Sequence, residues 1–332
     1  MPVASSVAAV LLGVSLTAAT PTPLLEIQDP ALEESSGLAV SALHDGVLWT
    51  HADGGSAAEV RAVDARGETV AVITLAGIDP YDPEALAPGV DEAGLPALFL
   101  GDVGDNLEQR DDVSVFRFTE PSRLVDATVD ATWFRFTYPD GPHDAETLLV
   151  HPRTGRLLIA TKDAFGGGLY RAPLDPVMTD DGTNRLVRVA DVPSLVTDGA
   201  YLPDGRFALR TYGSVFVYDR PGRPVATATL PLQPQGESLA VDGDRLLVGS
   251  EGLQSAVYAV PVPGPASSES TTPKPAAEPR EQREPREQLG RASSEGTDDE
   301  STLRTVYRIV RVVAILVLLA AIVAYLRRSR RR

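Results

Sequence analysis

The sequence predicts an all-β fold, a five-bladed β-propeller, on three observations. An acid-led motif recurs five times, each copy is followed by short alternating apolar runs, and Gly/Asp turns separate those runs. The motif reads "EESSGLAVS" from residue 33, "DPEALAPG" from 82, "DAETLLVHP" from 144, "TDGAYLPDG" from 197 and "GESLAVDG" from 236. The lead acids Glu34, Glu84, Glu146, Asp198 and Glu237 lie 50, 62, 52 and 39 residues apart. Repeats of this size with several strands each are the pattern of propeller blades.

Each of the first four copies holds four strand-like runs. The first has "GLAVS", "VLWTHAD", "EVRAVDARG" and "TVAVITL", and the second "EALAP", "ALFLGDV", "VSVFRFTE" and "TWFRFTYP". The third has "ETLLVHP", "RLLIATK", "GLYRAPL" and "RLVRVAD", and the fourth "GAYLP", "RFALRTY", "SVFVYDR" and "VATATLPL". The fifth supplies only "SLAVD", "RLLVGSE" and "AVYAVPV". Its missing outer strand has a donor in "PLLEIQD", residues 23–29, which would close the ring and remove an exposed edge. A six-bladed ring is the alternative, because the 62-residue second copy has room for further strands. The turns "HPRTGR", "LPDGR" and "VDGDR" suit short hairpins between the first two strands.

The propeller spans residues 21–262. Residues 1–20 read as a signal peptide: an apolar run of suitable length ends in small residues near Ala19, although its start carries no Lys or Arg. Residues 263–303 are rich in Pro, Glu, Ser and Arg with almost no large apolar side chain, the composition of a disordered stalk. Residues 304–326 contain an uninterrupted apolar stretch from Val312 to Leu326 and read as one transmembrane helix. The arginines of 327–332 then form a cytoplasmic basic tail. The expected location is the cell membrane, single-pass, with the N-terminal domain outside.

The 332 residues contain no cysteine, which excludes disulfides, thiolate metal sites and a cysteine nucleophile. The net charge of −16 understates the acidity of the propeller. Residues 303–332 carry eight arginines and no acid, leaving 22 basic residues against 46 acidic ones in the rest. Such a surface repels phosphate backbones, so nucleic-acid binding is not expected. The domain is expected to be a monomer.

In a propeller the innermost strand starts on the face where the second strand ends. The lead acids should therefore ring one mouth of the central channel. Beside them should fall His51, Asp53, Asp102, Asp105, Asn106, Lys162, Asp163, Arg210 and Glu251, with His143 just ahead of the third copy. Like charges around one axis need compensation from cations, basic side chains or protonation. Two readings follow. The acids form a site for a hard cation such as Ca²⁺, or for a cationic or hydroxyl-rich ligand, or each acid accepts backbone N–H bonds and pins one blade to the next.

The stretches "ESSGLAVS", "LWTHADGG", "LFLGDVGDN", "YPDGPHDAETLLVHPRTGRLLIATKD", "PQGESLAV" and "LLVGSEG" resemble actinobacterial exported or membrane-anchored β-propeller proteins, WD-repeat-like and related to esterase-like phytase propellers. The resemblance implies calcium held by carboxylates at the channel mouth, which selects Glu34, Glu84, Glu146, Glu237 and Asp105. The expected function is a surface-anchored module that binds an extracellular or cell-wall ligand. The alternative is a metal-dependent esterase or phosphoesterase of phytase-like or lactonase-like type, with His51, His143 or Lys162 assisting proton transfer.

Overall fold

The computed structural model describes residues 23–53, 57–174 and 180–264. The expected leader, the anchor helix, the tail and nearly all of the stalk lie outside the described residues. Among those described, no helix is long and apolar enough to cross a membrane.

The chain opens with β1 (Leu25–Glu26) and a 3₁₀ turn at Pro30–Leu32 capped by the Asp29 carboxylate. The first blade is β2 (Ser35–Val40), β3 (Leu48–Ala52), β4 (Glu59–Val63) and β5 (Thr69–Leu75). The second begins with β6 (Pro83–Val90), β7 (Pro96–Asp102) and β8 (Val113–Thr119). The chain then steps back through β9 (Ala127–Val129), which pairs parallel with β5 of the first blade, before β10 (Thr132–Thr137) completes the second.

The third blade repeats this device. After β11 (Ala145–Val150), β12 (Leu157–Thr161) and β13 (Gly168–Arg171), strand β14 (Thr183–Arg185) pairs parallel with β10. Strand β15 (Val187–Asp191) then closes the third blade. The fourth is β16 (Val196–Tyr201), β17 (Phe207–Thr211), β18 (Ser214–Arg220) and β19 (Arg223–Thr229). The fifth is β20 (Leu239–Asp242), β21 (Arg245–Val248) and β22 (Ala256–Pro261), completed by β1, which pairs antiparallel with β22 as Leu25 opposite Val257.

The ring therefore has five blades and is closed by the N-terminal strand, as the repeat pattern predicts. The 62-residue second copy makes no sixth blade. Its surplus residues form the strap β9 and the turns around it, which lace the second blade to the first. Each inner hairpin turns sharply, with Gly155 at φ 62° and Gly205 at φ 93°, the left-handed region that glycine enters without steric cost.

Alternation along the strands places apolar side chains on both faces of each blade, so every pair of neighbours shares a core. Leu86, Leu98 and Phe116 pack against Trp49 and Ile73 between blades one and two. Phe99 and Phe136 meet Leu148 and Ile159 between two and three. Leu149 and Leu158 meet Phe207 and Leu209 between three and four, and Val215 and Val217 meet Leu239 and Leu246 between four and five. The closing seam joins Leu25 and Val257 to Leu38 and Leu48. Five interlocked interfaces of this kind hold the inner strands rigidly around the channel.

Candidate functional site

Strand register shows which residues are equivalent at the mouth. In three blades the inner ladder slips by one residue, skipping Glu84 between Pro83 and Ala85, Glu146 between Ala145 and Thr147, and Thr197 between Val196 and Asp198. In the first blade the slip spans Ser36 and Gly37. Backbone bonds give the same frame: Asp53 N donates to Glu34 O, Lys162 N to Asp144 O and Glu251 N to Gln235 O. Two residues beyond each of those carbonyls stand Ser36, Glu146 and Glu237. One ring of equivalent positions is thus Ser36, Glu84, Glu146, Thr197 and Glu237, and the partner ring at the ends of the second strands is Asp53, Gly104, Lys162, Tyr212 and Glu251.

This corrects two assignments made from spacing alone. Glu34 lies two residues before the ring position and is exposed. Asp198 lies one residue after it and is buried between blades, its Oδ1 accepting from Gly199 N at 2.7 Å and its Oδ2 from Leu239 N at 2.5 Å. At the vacated ring positions hydroxyls bond forward to the next blade. Ser36 Oγ donates to Glu84 O at 2.9 Å and to its Oε2 at 3.2 Å, and Thr197 Oγ1 donates to Gly236 O at 3.0 Å.

Three ring glutamates remain, all buried, around one ammonium. Lys162 Nζ pairs with Glu146 Oε1 and lies 5.4 Å from the centre of the Tyr212 ring. The Glu146 Oε2 atom is buried with no hydrogen-bond donor. Burial is the largest influence on Glu84, and the charges of Glu146, Asp82 and Asp53 add to it, pushing its carboxyl from 4.5 up to about 10. Burial likewise pushes Glu146 well above the carboxylate range despite Lys162, with Glu237 adding repulsion. Burial raises Glu237 as well, while the charge of Lys162 offsets part of that rise. Burial and the neighbouring Glu237, Asp53 and Glu34 push Glu251 from 4.5 up to about 8. Lys162 is lifted above its usual range, because Glu146 and Glu237 outweigh its desolvation. One ammonium cannot neutralise this group, so protons do the rest.

The other expected mouth residues divide into supports and bystanders. His51 is fully buried: its Nε2 accepts from Gly37 N at 3.1 Å, so Nδ1 carries the proton and donates to Ala52 O at 3.2 Å. Burial pushes its pKa down to about 4, leaving a neutral structural ring rather than a proton carrier. Arg210 is sealed between blades four and five, donating to Ser238 O at 2.7 Å and Gly249 O at 2.9 Å. Asp102 holds Arg110 by two bonds, of 2.9 and 3.2 Å, and accepts from Asp82 N. Asp105 Oδ2 takes the N–H groups of Gln109 and Arg110, and Asn106 bonds the Asp82 side chain. Asp163 caps its own loop through Phe165 N. His143 sits apart with Asp140 at 3.1 Å and Tyr170 at 2.9 Å.

The carboxylates selected for calcium are not brought together as a cage. Glu34 is outside the ring, Asp105 serves its own loop, and Lys162 occupies Glu146. Among the described residues no three His, Asp or Glu side chains are arranged to hold a metal ion. Sequence reading missed Asp82, Asp144, Ser36 and Thr197. The acids had a signal, an Asp two residues before the ring Glu in both "DPE" and "DAE".

The pH dependence of stability follows from these groups. A carboxyl raised on folding holds its proton more tightly than in the unfolded chain, so stability is lost as pH rises from 4.5 toward the folded value. His51 acts the other way, but only below its ordinary 6.5. Between pH 6.5 and 9 the carboxyl groups govern, and the unfolding temperature should fall. Glu84→Gln, which keeps the shape and removes the charge, should flatten that slope and raise Tm at pH 9, as differential scanning calorimetry would measure.

No protein-family model and no curated protein matches the chain. Among solved structures, a gluconolactonase from Xanthomonas campestris is 16% identical, with 68% of this chain and 71% of that one covered and a TM-score of 0.42. The PQQ-bound form of an aldose sugar dehydrogenase from Streptomyces coelicolor is 13% identical, with 72% and 96% covered and a TM-score of 0.41. A glucose dehydrogenase is 14% identical, with 74% and 100% covered and a TM-score of 0.44.

Proposed function

We propose that this propeller is a ligand-binding module, presented at the cell surface by the C-terminal apolar segment, that takes an organic cation at its acidic mouth. The observation that carries this reading is Lys162. An alkylammonium already sits there between a carboxylate, Glu146, and an aromatic ring, Tyr212, the pair of partners that suits ammonium and guanidinium ions. Glu84 and Glu251 are held largely protonated by burial and the charges of neighbouring carboxyl groups, and burial raises Glu237 as well. A second cation would convert them to carboxylates, and the proton released would make binding tighter as pH rises.

A thermal-shift series with n-butylguanidinium tests the reading. The unfolding temperature should rise with ligand at pH 8, rise less at pH 6, and not respond in Glu146→Gln/Glu237→Gln. Equal shifts in that variant would place the cation elsewhere.

A hydrolytic reading has one observation in its favour. The Glu251 carboxyl, pushed up to about 8, is a proton donor near neutral pH. It predicts turnover of p-nitrophenyl acetate or phosphate that disappears in Glu251→Gln. Without such turnover the mouth binds but does not catalyse.

A further inference from the structure

The mouth is surrounded by large, mostly apolar side chains, of which only Tyr212 takes part in its own chemistry. On this face lie the loops that open the inner strands and those that join the second and third strands. Tyr81 and Leu107 of the second blade, Phe165 of the third, Tyr212 of the fourth, and Leu232 and Leu253 of the fifth stand exposed there. Five of these six are more than 60% exposed, and Leu232 is 98% exposed. The opposite face exposes Leu24, Leu43, Val90, Leu95 and Val125, each between 40% and 52% exposed. Single exposed apolar residues are ordinary, but several around one opening are the usual mark of a docking surface.

From this rim and the buried, donorless Glu146 Oε2 at its centre, we propose that the mouth face docks a protein segment that inserts an Arg or Lys side chain between the ring glutamates while flanking apolar residues cover the rim. This deepens the cation-binding reading and rests on it. Charge complementarity selects the occupant. A second copy of the chain would bring one acidic domain against another, and an anionic lipid surface would be repelled by the same excess of acidic over basic residues. A small free cation would fill the centre and leave Phe165, Leu232 and Leu253 in water. A basic anchor within an apolar surround is also the arrangement in which binding energy concentrates at protein interfaces.

The test is selection of a random twelve-residue peptide display library on the full-length chain in lipid nanodiscs, with n-butylguanidinium measured in parallel. Enriched peptides should carry Arg or Lys with Leu, Phe or Trp within two positions. Their affinity should fall at least tenfold in Phe165→Ser/Leu232→Ser/Leu253→Ser, whose exposed sites leave Tm unchanged, and again in Glu146→Gln/Glu237→Gln. Enrichment of peptides without a basic residue, or equal binding by the rim variant, overturns the proposal. No enrichment while n-butylguanidinium still binds overturns it too, and leaves a small-cation site. Loss of both overturns the cation reading as well. Rim-dependent binding to anionic vesicles, or a rim-dependent dimer in sedimentation, would show a different occupant and also overturn it.

Discussion

Arg210→Met should be the most damaging single change in the propeller, lowering stability by about 4 kcal/mol or more. Its side chain is wholly buried, and burial pushes its pKa down to about 10. Its guanidinium satisfies Ser238 O, Gly249 O and Gln233 Oε1, which tie the fourth blade to the fifth. Methionine fills much of the volume but donates nothing. Each buried acceptor left unpaired costs about 1–3 kcal/mol. Arg210→Lys should rescue little, because a single ammonium cannot span acceptors that a planar fork reaches. At about 2–4 °C per kcal/mol for a domain of this size, Tm should drop by roughly 8–16 °C in calorimetry.

Lys162→Met should cost about 3 kcal/mol, and the loss should depend on pH. The ammonium stands beside Glu146 and Glu237 at the ring, and removing one partner of a buried ion pair strands the other. At pH 5 the orphaned carboxyl groups take up protons and most of the loss should vanish. At pH 8 protonation is harder and the full drop in Tm, roughly 6–12 °C, should appear. The double variant Lys162→Met/Glu146→Gln should recover most of it, since the neutral amide no longer needs a counter-ion. A pH-independent loss would mean that Lys162 acts by packing alone.

The fold was legible in the sequence because each inner strand opens with an acid or hydroxyl and its hairpin turns on glycine, local features that survive in all five blades. Closure by residues 23–29 was legible for the same reason: the fifth copy lacked one strand, and the surplus apolar run stood in front of the first. The straps β9 and β14 were not, since three-residue edge strands such as Ala127–Val129 carry too little alternation to stand out.

At the site, Glu84, Glu146, Glu237 and Lys162 were found from spacing. Glu34 and Asp198 were misplaced because a β-bulge lies at the motif itself. There one residue decides whether a side chain faces the channel or the blade interface. Asp198 ends up as a latch between blades, whereas Glu84 and Glu146 face the channel. The latch reading of the acids therefore describes Asp198, while Glu84 and Glu146 take the positions from which the ligand reading is argued.

The central claim is that the mouth stores protons which a bound cation displaces. Isothermal titration of n-butylguanidinium into the full-length chain at pH 7, in phosphate and again in HEPES, measures this directly. If the raised carboxyl groups are the ligand's partners, the apparent enthalpy will differ between the two buffers by an amount that corresponds to release of roughly one proton per cation. A binding enthalpy that is the same in both buffers, or no binding heat at all, would contradict the account.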